Sequence, residues 1–194
     1  QGLSAIADLQ FELAMPKLVE EYRSVRRTLE VRLNVGESIL QVARRLGQVL
    51  PKYASEFFAL LLASAQKDKE ALMRASALSN IAEVCELLKF ALLPWIEEIM
   101  AMVYDILLVE RDEHVRRGCV NLLRQLFKGL EKDIYTVIPN HMQRITALLE
   151  TIEESDKDLV LRQHAANALA MYHEGIEQSV KAALDSRSQT LLEP

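Results

Sequence analysis

The stretch RASALSNIAEVCELLKFALLPW, residues 74–95, decides the fold class. Counted from Arg74, its apolar positions recur at offsets of three, seven, ten and fourteen residues. These positions are Ala77, Ile81, Val84 and Leu88. On a helix of 3.6 residues per turn, such offsets form one stripe along one face. The stretch therefore predicts a helix that Pro94 ends, and its many apolar residues predict burial on more than one side.

The same pattern occurs four times along the chain, each time opened by an apolar residue followed by an arginine. The four arginines are Arg32, Arg74, Arg116 and Arg162, spaced by 42, 42 and 46 residues. The stripes of the other three units are Val35, Ile39, Val42 and Leu46; Cys119, Leu123, Leu126 and Leu130; and Ala165, Leu169, Tyr172 and Ile176. A period of about 40–47 residues is typical of HEAT and armadillo repeats. The sequence therefore predicts an all-α, HEAT/armadillo-type α-solenoid of about four helix-pair repeats.

Prolines mark the boundaries between the predicted repeats. Pro51, Pro94 and Pro139 each follow a predicted helix, where a proline cannot continue that helix but suits the first turn of the next. We expect a single array over residues 1–184, made of a partial repeat 1–15 and repeats 16–50, 51–93, 94–138 and 139–184, the last with a long helix. The predicted helices are 3–14, 16–27, 30–49, 52–66, 69–92, 95–109, 113–130, 139–152 and 157–184. We expect residues 185–194 to form a flexible tail, and we interpret a chain that begins with Gln1 as a piece of a longer protein.

An acidic residue precedes three of the four arginines by six positions, and the first unit has Arg26 there instead. In HEAT repeats such an acidic residue and the arginine form a ladder between neighbouring units. The spacing permits Asp68 to pair with Arg116 or Arg74, and Glu110 to pair with Arg162 or Arg116. The candidate ladder consists of Asp68, Arg74, Glu110, Arg116, Asp156 and Arg162. The alternative is that these are solvated loop charges, worth about 0–1 kcal/mol as exposed pairs.

The sequence contains no constellation of residues for catalysis. Two cysteines, Cys85 and Cys119, are too few for a disulfide framework or a metal clamp, and the four histidines form no HExxH motif. The phosphate-binding motifs GxxxxGK[ST] and GxGxxG are absent from the sequence, as is the GxSxG motif of a nucleophilic serine. We therefore expect no enzyme activity, no cofactor and no metal site.

Basic residues on the second helices are the remaining candidates for binding. The candidate partner surface consists of Arg44, Arg45, Arg124 and Lys128, and the alternative is an ordinary solvated face. A further cluster, Arg23, Arg26 and Arg27, lies near one turn. Because the net charge is −5 and no aromatic residue is interleaved with the basic residues, we expect no nucleic-acid partner.

The stretch of residues 90–109 is mostly apolar and is nearly long enough to cross a membrane. Four residues interrupt it: Pro94, Glu97, Glu98 and Asp105. A confident span needs about 18 or more apolar residues without such charges. We therefore expect no transmembrane helix in this segment.

Two blocks resemble a known family: RASALSNIAEVCELLKFALLPWIEEIM and ERDEHVRRGCVNLLRQLFKGL, within residues 70–131. They are similar to the C-terminal HEAT region of the Transport and Golgi organization protein 6 family, whose fungal relatives are factors required for nuclear transport of RNA polymerase II. Outside these blocks, the chain resembles the family only as HEAT helices would.

The resemblance implies a non-enzymatic scaffold or adaptor that binds other proteins. Its implied partners are RNA polymerase II subunits, assembly chaperones, nucleoporins or components of the secretory pathway. Its implied location is the cytoplasm, with shuttling to the nucleus or peripheral association with secretory membranes. Two alternatives stay open: a karyopherin-like or coat-type transport receptor, and a purely structural cap of a longer solenoid.

Overall fold

The computed structural model describes residues 2–190, which form α-helices joined by short turns and 3₁₀ segments, without a strand among them. The α-helices are α1 (Gly2–Arg23), α2 (Leu29–Leu46), α3 (Ala54–Lys67), α4 (Ala71–Leu88), α5 (Ile96–Val109), α6 (Glu113–Leu130), α7 (Ile134–Val137), α8 (Met142–Ser155) and α9 (Leu159–Thr190). The 3₁₀ segments are Gly47–Tyr53, Lys89–Trp95, Glu131–Asp133 and Pro139–His141. The chain divides into two compact units, Gln1–Leu122 and Leu123–Pro194. The predicted all-α, solenoid-like class is confirmed.

The first unit consists of helical hairpins stacked side by side. Helix α1 packs on α2 and α3 packs on α4, while α2 also packs on α4 and α3 on α5. First helices therefore contact first helices, and second helices contact second helices, which is the packing of an α-solenoid. Helices α5 and α6 are also in contact, because the thiol of Cys119 on α6 donates to the Val103 carbonyl of α5 at 3.7 Å.

The second unit is built around α9, the longest helix. Helix α8 forms a hairpin with α9, and the Glu131–Asp133 segment and α7 also pack on α9. The rings of Phe127 and Tyr172 lie 5.3 Å apart between their centroids, which places two large apolar groups in the centre of this unit. Gly175 lies so close to the Glu131 carbonyl that a Cβ there would be 2.6 Å from the oxygen.

The predicted apolar stripe is the core. Of its sixteen positions, thirteen are buried, including Ala77, Ile81 and Val84 with no exposed surface. The three that are only half-buried are Val35, Val42 and Ile176. Burial of apolar side chains at a fixed spacing is what the 3.6-residue period requires, and it gives most of the favourable free energy of folding.

The first helix differs from the prediction, since α1 runs without a break through Pro16, where the sequence predicts a boundary. Phe11, Met15 and Tyr22 form one buried stripe that spans the proline. The ring of Phe11 stacks on that of Tyr53 with 3.9 Å between centroids, and Tyr22 donates to Ser64 Oγ at 3.1 Å. Packing on both sides of Pro16 holds a continuous helix in spite of the hydrogen bond that proline removes.

The second helices of three repeats end at equivalent residues with positive φ. These are Gly47 (φ 52°), Lys89 (φ 49°) and Glu131 (φ 44°), which are spaced by 42 residues, as the first three arginines are. Each positive φ turns the chain into a 3₁₀ segment, so α2 and α4 end a few residues before their predicted ends at 49 and 92. Pro51 and Pro94 therefore lie in these 3₁₀ segments rather than in the first turn of the next α-helix.

The end of the chain also differs from the prediction. Helix α9 continues to Thr190, six residues beyond its predicted end. Residues 191–194, the remainder of the predicted tail, lie outside the described residues. Among the helices of residues 2–190, none combines the length and apolarity that crossing a bilayer would need.

Candidate functional site

Two ion pairs link neighbouring repeats of the first unit. The Arg32 guanidinium pairs with the Asp68 carboxylate, and its Nε donates to the Tyr22 carbonyl at 2.8 Å. One repeat further, Arg74 Nη2 lies 2.9 Å from Glu110 Oε2, and Arg74 Nη1 donates to the Asp68 carbonyl at 2.9 Å. Each arginine therefore ties the start of a second helix to the loop of the following repeat.

The partners in this ladder differ from those that the spacing suggested. Asp68 pairs with Arg32 rather than with Arg74 or Arg116, and Glu110 pairs with Arg74 rather than with Arg116 or Arg162. The reason is the stacking of α2 on α4, which brings the arginine of one repeat against the acidic loop of the next. Sequence spacing alone could not distinguish a contact with the following repeat from one with the preceding repeat.

The other candidate ladder residues occupy equivalent places at helix ends. Asp156 follows the last residue of α8, and its carboxylate accepts from the Asp158 amide at 3.0 Å. Arg162, in the first turn of α9, donates through Nε to the Glu153 carbonyl. The Arg116 amide donates to the Asp112 carbonyl at the start of α6. Their participation in a ladder stays a prediction.

The two ladder carboxylates are held in their ionised form. Burial raises the pKa of Asp68, but the hydrogen bonds from Arg32 and the Glu70 amide together lower it by more. The pKa of Asp68 is therefore below its ordinary value. Glu110 behaves similarly: burial raises its pKa, while the Asp112 and Arg111 amides and the charge of Arg74 lower it by more. These side chains stay charged at neutral pH and keep their arginine partners.

The predicted partner surface is partly occupied by contacts within the chain. Arg44 is paired with both Glu37 and Glu83, whereas Arg45 and Lys128 are exposed. Arg124 is half-buried. Arg44 and Arg45 belong to the first unit and Arg124 and Lys128 to the second, so each pair lies within its own unit.

A cleft in the first unit was not identified from the sequence. It has a volume of about 470 Å³ and lies between the end of α1 and the loop that joins α3 to α4. Its lining residues are Tyr22, Arg23, Val25, Arg27, Leu29, Arg32, Leu60, Ala63, Ser64, Lys67, Asp68, Lys69 and Glu70. The cluster of Arg23, Arg26 and Arg27 was the only sequence signal for it, because Lys67 and Lys69 join that cluster only in the folded chain.

Two kinds of reactive group are relevant here, metal-binding clusters and accessible thiols. Within residues 2–190, no three His, Cys, Asp or Glu residues are placed to hold a metal ion together. Both cysteines are buried, and burial raises the pKa of Cys85 to about 12 and that of Cys119 well above its ordinary value. A thiol that stays protonated is a poor nucleophile.

Comparison with known proteins finds similarity to one family. A sequence profile described as "Required for nuclear transport of RNA pol II C-terminus 1" matches residues 1–49, and one described as "Required for nuclear transport of RNA pol II C-terminus 2" matches residues 141–170. "Transport and Golgi organization protein 6" of Drosophila melanogaster is 29% identical to the chain over 175 residues, which is 90% of the chain. The chain is related to the Transport and Golgi organization protein 6 family.

The matches to the Transport and Golgi organization protein 6 family extend beyond the blocks that suggested it. The two profiles match regions on either side of residues 70–131, where the sequence predicted only generic likeness. The fly protein is similar over nearly the whole chain, including those blocks. The chain spans 19% of the length of the fly protein. No solved structure matches the chain.

Proposed function

We propose that this chain is a non-enzymatic, protein-binding part of a transport factor. The observation that carries the proposal is the similarity over 90% of the chain to a protein named for transport and Golgi organisation, together with two profiles named for nuclear transport of RNA polymerase II. Stacked helical repeats support it, because such arrays expose long ridged surfaces that are well suited to binding other proteins.

The partners that fit the proposal are RNA polymerase II subunits with their assembly chaperones and nucleoporins, or components of the secretory pathway. A cytoplasmic protein that shuttles to the nucleus or associates peripherally with secretory membranes could meet either set. Both cysteines are buried, and Arg32 and Arg74 are held in ion pairs between repeats, which supports a structural use of these four side chains in a binding protein.

The proposal is tested by immobilising the chain and quantifying proteins retained from a cell lysate. We expect enrichment of RNA polymerase II subunits or of secretory components over a column that carries an unrelated helical-repeat protein. Absence of both groups would overturn the family-based part of the proposal. Retention of a small GTPase that depends on its bound nucleotide would instead favour a karyopherin-like or coat-type receptor.

Charge-reversal variants locate the surface. We expect R124E/K128E to reduce retention if the second helices carry the partner, whereas K157E/K181E changes the net charge equally at exposed sites outside the candidate surface. Because Arg124 is half-buried, Lys128→Glu alone provides a variant in which only an exposed side chain changes. Equal retention by all variants would place the partner elsewhere. Loss of stability without loss of retention would favour the structural-cap alternative.

A further inference from the structure

We propose that the cleft between the end of α1 and the α3–α4 loop binds an acidic linear segment of a partner protein that also carries an apolar side chain. This inference rests on the proposed protein-binding function and specifies the chemistry of one partner. The cleft lies wholly in the first unit and has a volume of about 470 Å³. Ligand-binding clefts usually measure about 300–1,000 Å³, so it can hold a few residues of an extended chain.

The charge of the cleft is opposite to that of the whole chain. Five of its thirteen lining residues are basic and two are acidic, although the chain has a net charge of −5. The arrangement therefore concentrates positive potential at one edge of the first unit. An acidic segment would be steered there, since complementary charge raises the rate of encounter and selects the partner.

Three of the basic residues are available for a partner. Arg32 is neutralised by Asp68, and Arg27 donates through Nη2 to Glu21 at 2.7 Å. Arg23, Lys67 and Lys69 are exposed and form no ion pair with the residues that the structure describes. Glu70 is the acidic residue of the rim, so the rim keeps an excess of positive charge.

The inner wall of the cleft explains why the segment should carry an apolar side chain. Leu60 and Ala63 from α3 line the cleft, and Val25 at its rim is 87% exposed. The Tyr22 hydroxyl is used in its bond to Ser64, and only 1% of Tyr22 is exposed. An apolar side chain of the partner would cover Val25 while its carboxylates pair with the rim.

The same wall argues against a nucleic acid as the occupant. A single strand binds through aromatic rings on which its bases stack. Tyr22 is the aromatic residue among those lining the cleft, and it is buried. The net negative charge of the chain would also repel the phosphates that extend beyond the cleft.

The test is the binding of a fluorescent peptide to the whole chain, measured by anisotropy. The probe is a short peptide in which Asp-Glu pairs alternate with Leu. We expect binding that weakens as salt is added, because the contacts are exposed ion pairs. K67E/K69E removes two such pairs and replaces them with repulsion, so it should weaken binding about tenfold.

Matched controls separate this site from a general charge effect. K157E/K181E makes the same change of net charge at exposed lysines of the second unit and should bind the peptide as the unmodified chain does. K67R/K69R keeps the charge and should retain binding. A peptide with Leu replaced by Ser should bind more weakly, and one with Lys in place of Asp and Glu should not bind.

Equal binding of the peptide to K67E/K69E and to the unmodified chain would overturn the inference, as would the absence of binding. Preference for a single-stranded RNA oligonucleotide over the peptide would also overturn it. If K67E/K69E still retains polymerase or secretory components from a lysate and the peptide does not bind, the cleft inference fails and the proposed function stands. Thermal unfolding of each variant, followed by circular dichroism, shows whether a loss of binding reflects a loss of folding.

Discussion

The ion pair between Arg32 and Asp68 has an unusual environment for a surface loop. The side chains are 11% and 9% exposed, and the guanidinium also donates to the Tyr22 carbonyl. A charge that is removed from water needs a partner, because desolvation of an unpaired ion is costly. The pair therefore fixes the position of the α3–α4 loop against α1 and α2. This loop also forms one wall of the cleft.

Removing Asp68 alone should lower the free energy of unfolding more than removing it when Arg32 has already been replaced. We expect Asp68→Ala to lower the free energy of unfolding by about 3 kcal/mol, since it leaves the Arg32 charge buried without a partner. In an Arg32→Met background, Asp68→Ala should lower the free energy of unfolding by only about 1 kcal/mol, because only the hydrogen bond from the Glu70 amide is then lost. Urea denaturation of the four proteins in this cycle measures the coupling. Additive costs would show that the pair does not stabilise the stacking.

At the scale of the element, equivalent positions on α2 and α4 differ in burial. Val42 on α2 and Val84 on α4 are separated by the 42-residue repeat and belong to the same predicted stripe. Val84 is fully buried, whereas Val42 is half-buried. Met73 and Ala77 on α4 are likewise fully buried. Burial at equivalent positions is therefore set by tertiary packing, which the sequence pattern does not specify.

The same substitution should therefore have unequal effects on the two helices. We expect Val84→Ala to lower the free energy of unfolding by about 2 kcal/mol, since it removes buried carbon atoms and leaves a cavity. Val42→Ala should cost less than about 1 kcal/mol, because water already reaches that side chain. Both variants lie in the first unit and can be compared by the midpoint of one urea transition. Equal shifts would contradict the burial pattern.

At the scale of the whole molecule, both cysteines lie in the core of the first unit. Cys85 and Cys119 are on different helices, α4 and α6, and both are buried. Burial raises the pKa of Cys85 to about 12, so almost no reactive thiolate exists at neutral pH in the folded state. Their chemical modification therefore reports how often the unit opens rather than how reactive the thiols are.

We expect both thiols to resist a disulfide reagent in the native chain at pH 8 and to react quickly in urea. Val84→Ala should accelerate the reaction in the native chain, and Val42→Ala should change it much less, because only the first weakens the packing around α4. Mass spectrometry of the labelled chain identifies which cysteine has reacted. Rapid labelling of either cysteine in the unmodified native chain would contradict a closed core.

The sequence by itself determined the all-α class and most of the core, because a stripe of period 3.6 that recurs every 42–46 residues is a local and periodic signal. Thirteen of the sixteen predicted stripe positions are buried for that reason. The tertiary structure alone decided which arginine meets which carboxylate, since that choice depends on how α2 stacks on α4. It also decided that Lys67 and Lys69 join Arg23 at one cleft, because residues more than forty positions apart become neighbours only when hairpins stack. Charges far apart in sequence carry no periodic signal, and their meeting point is fixed by packing.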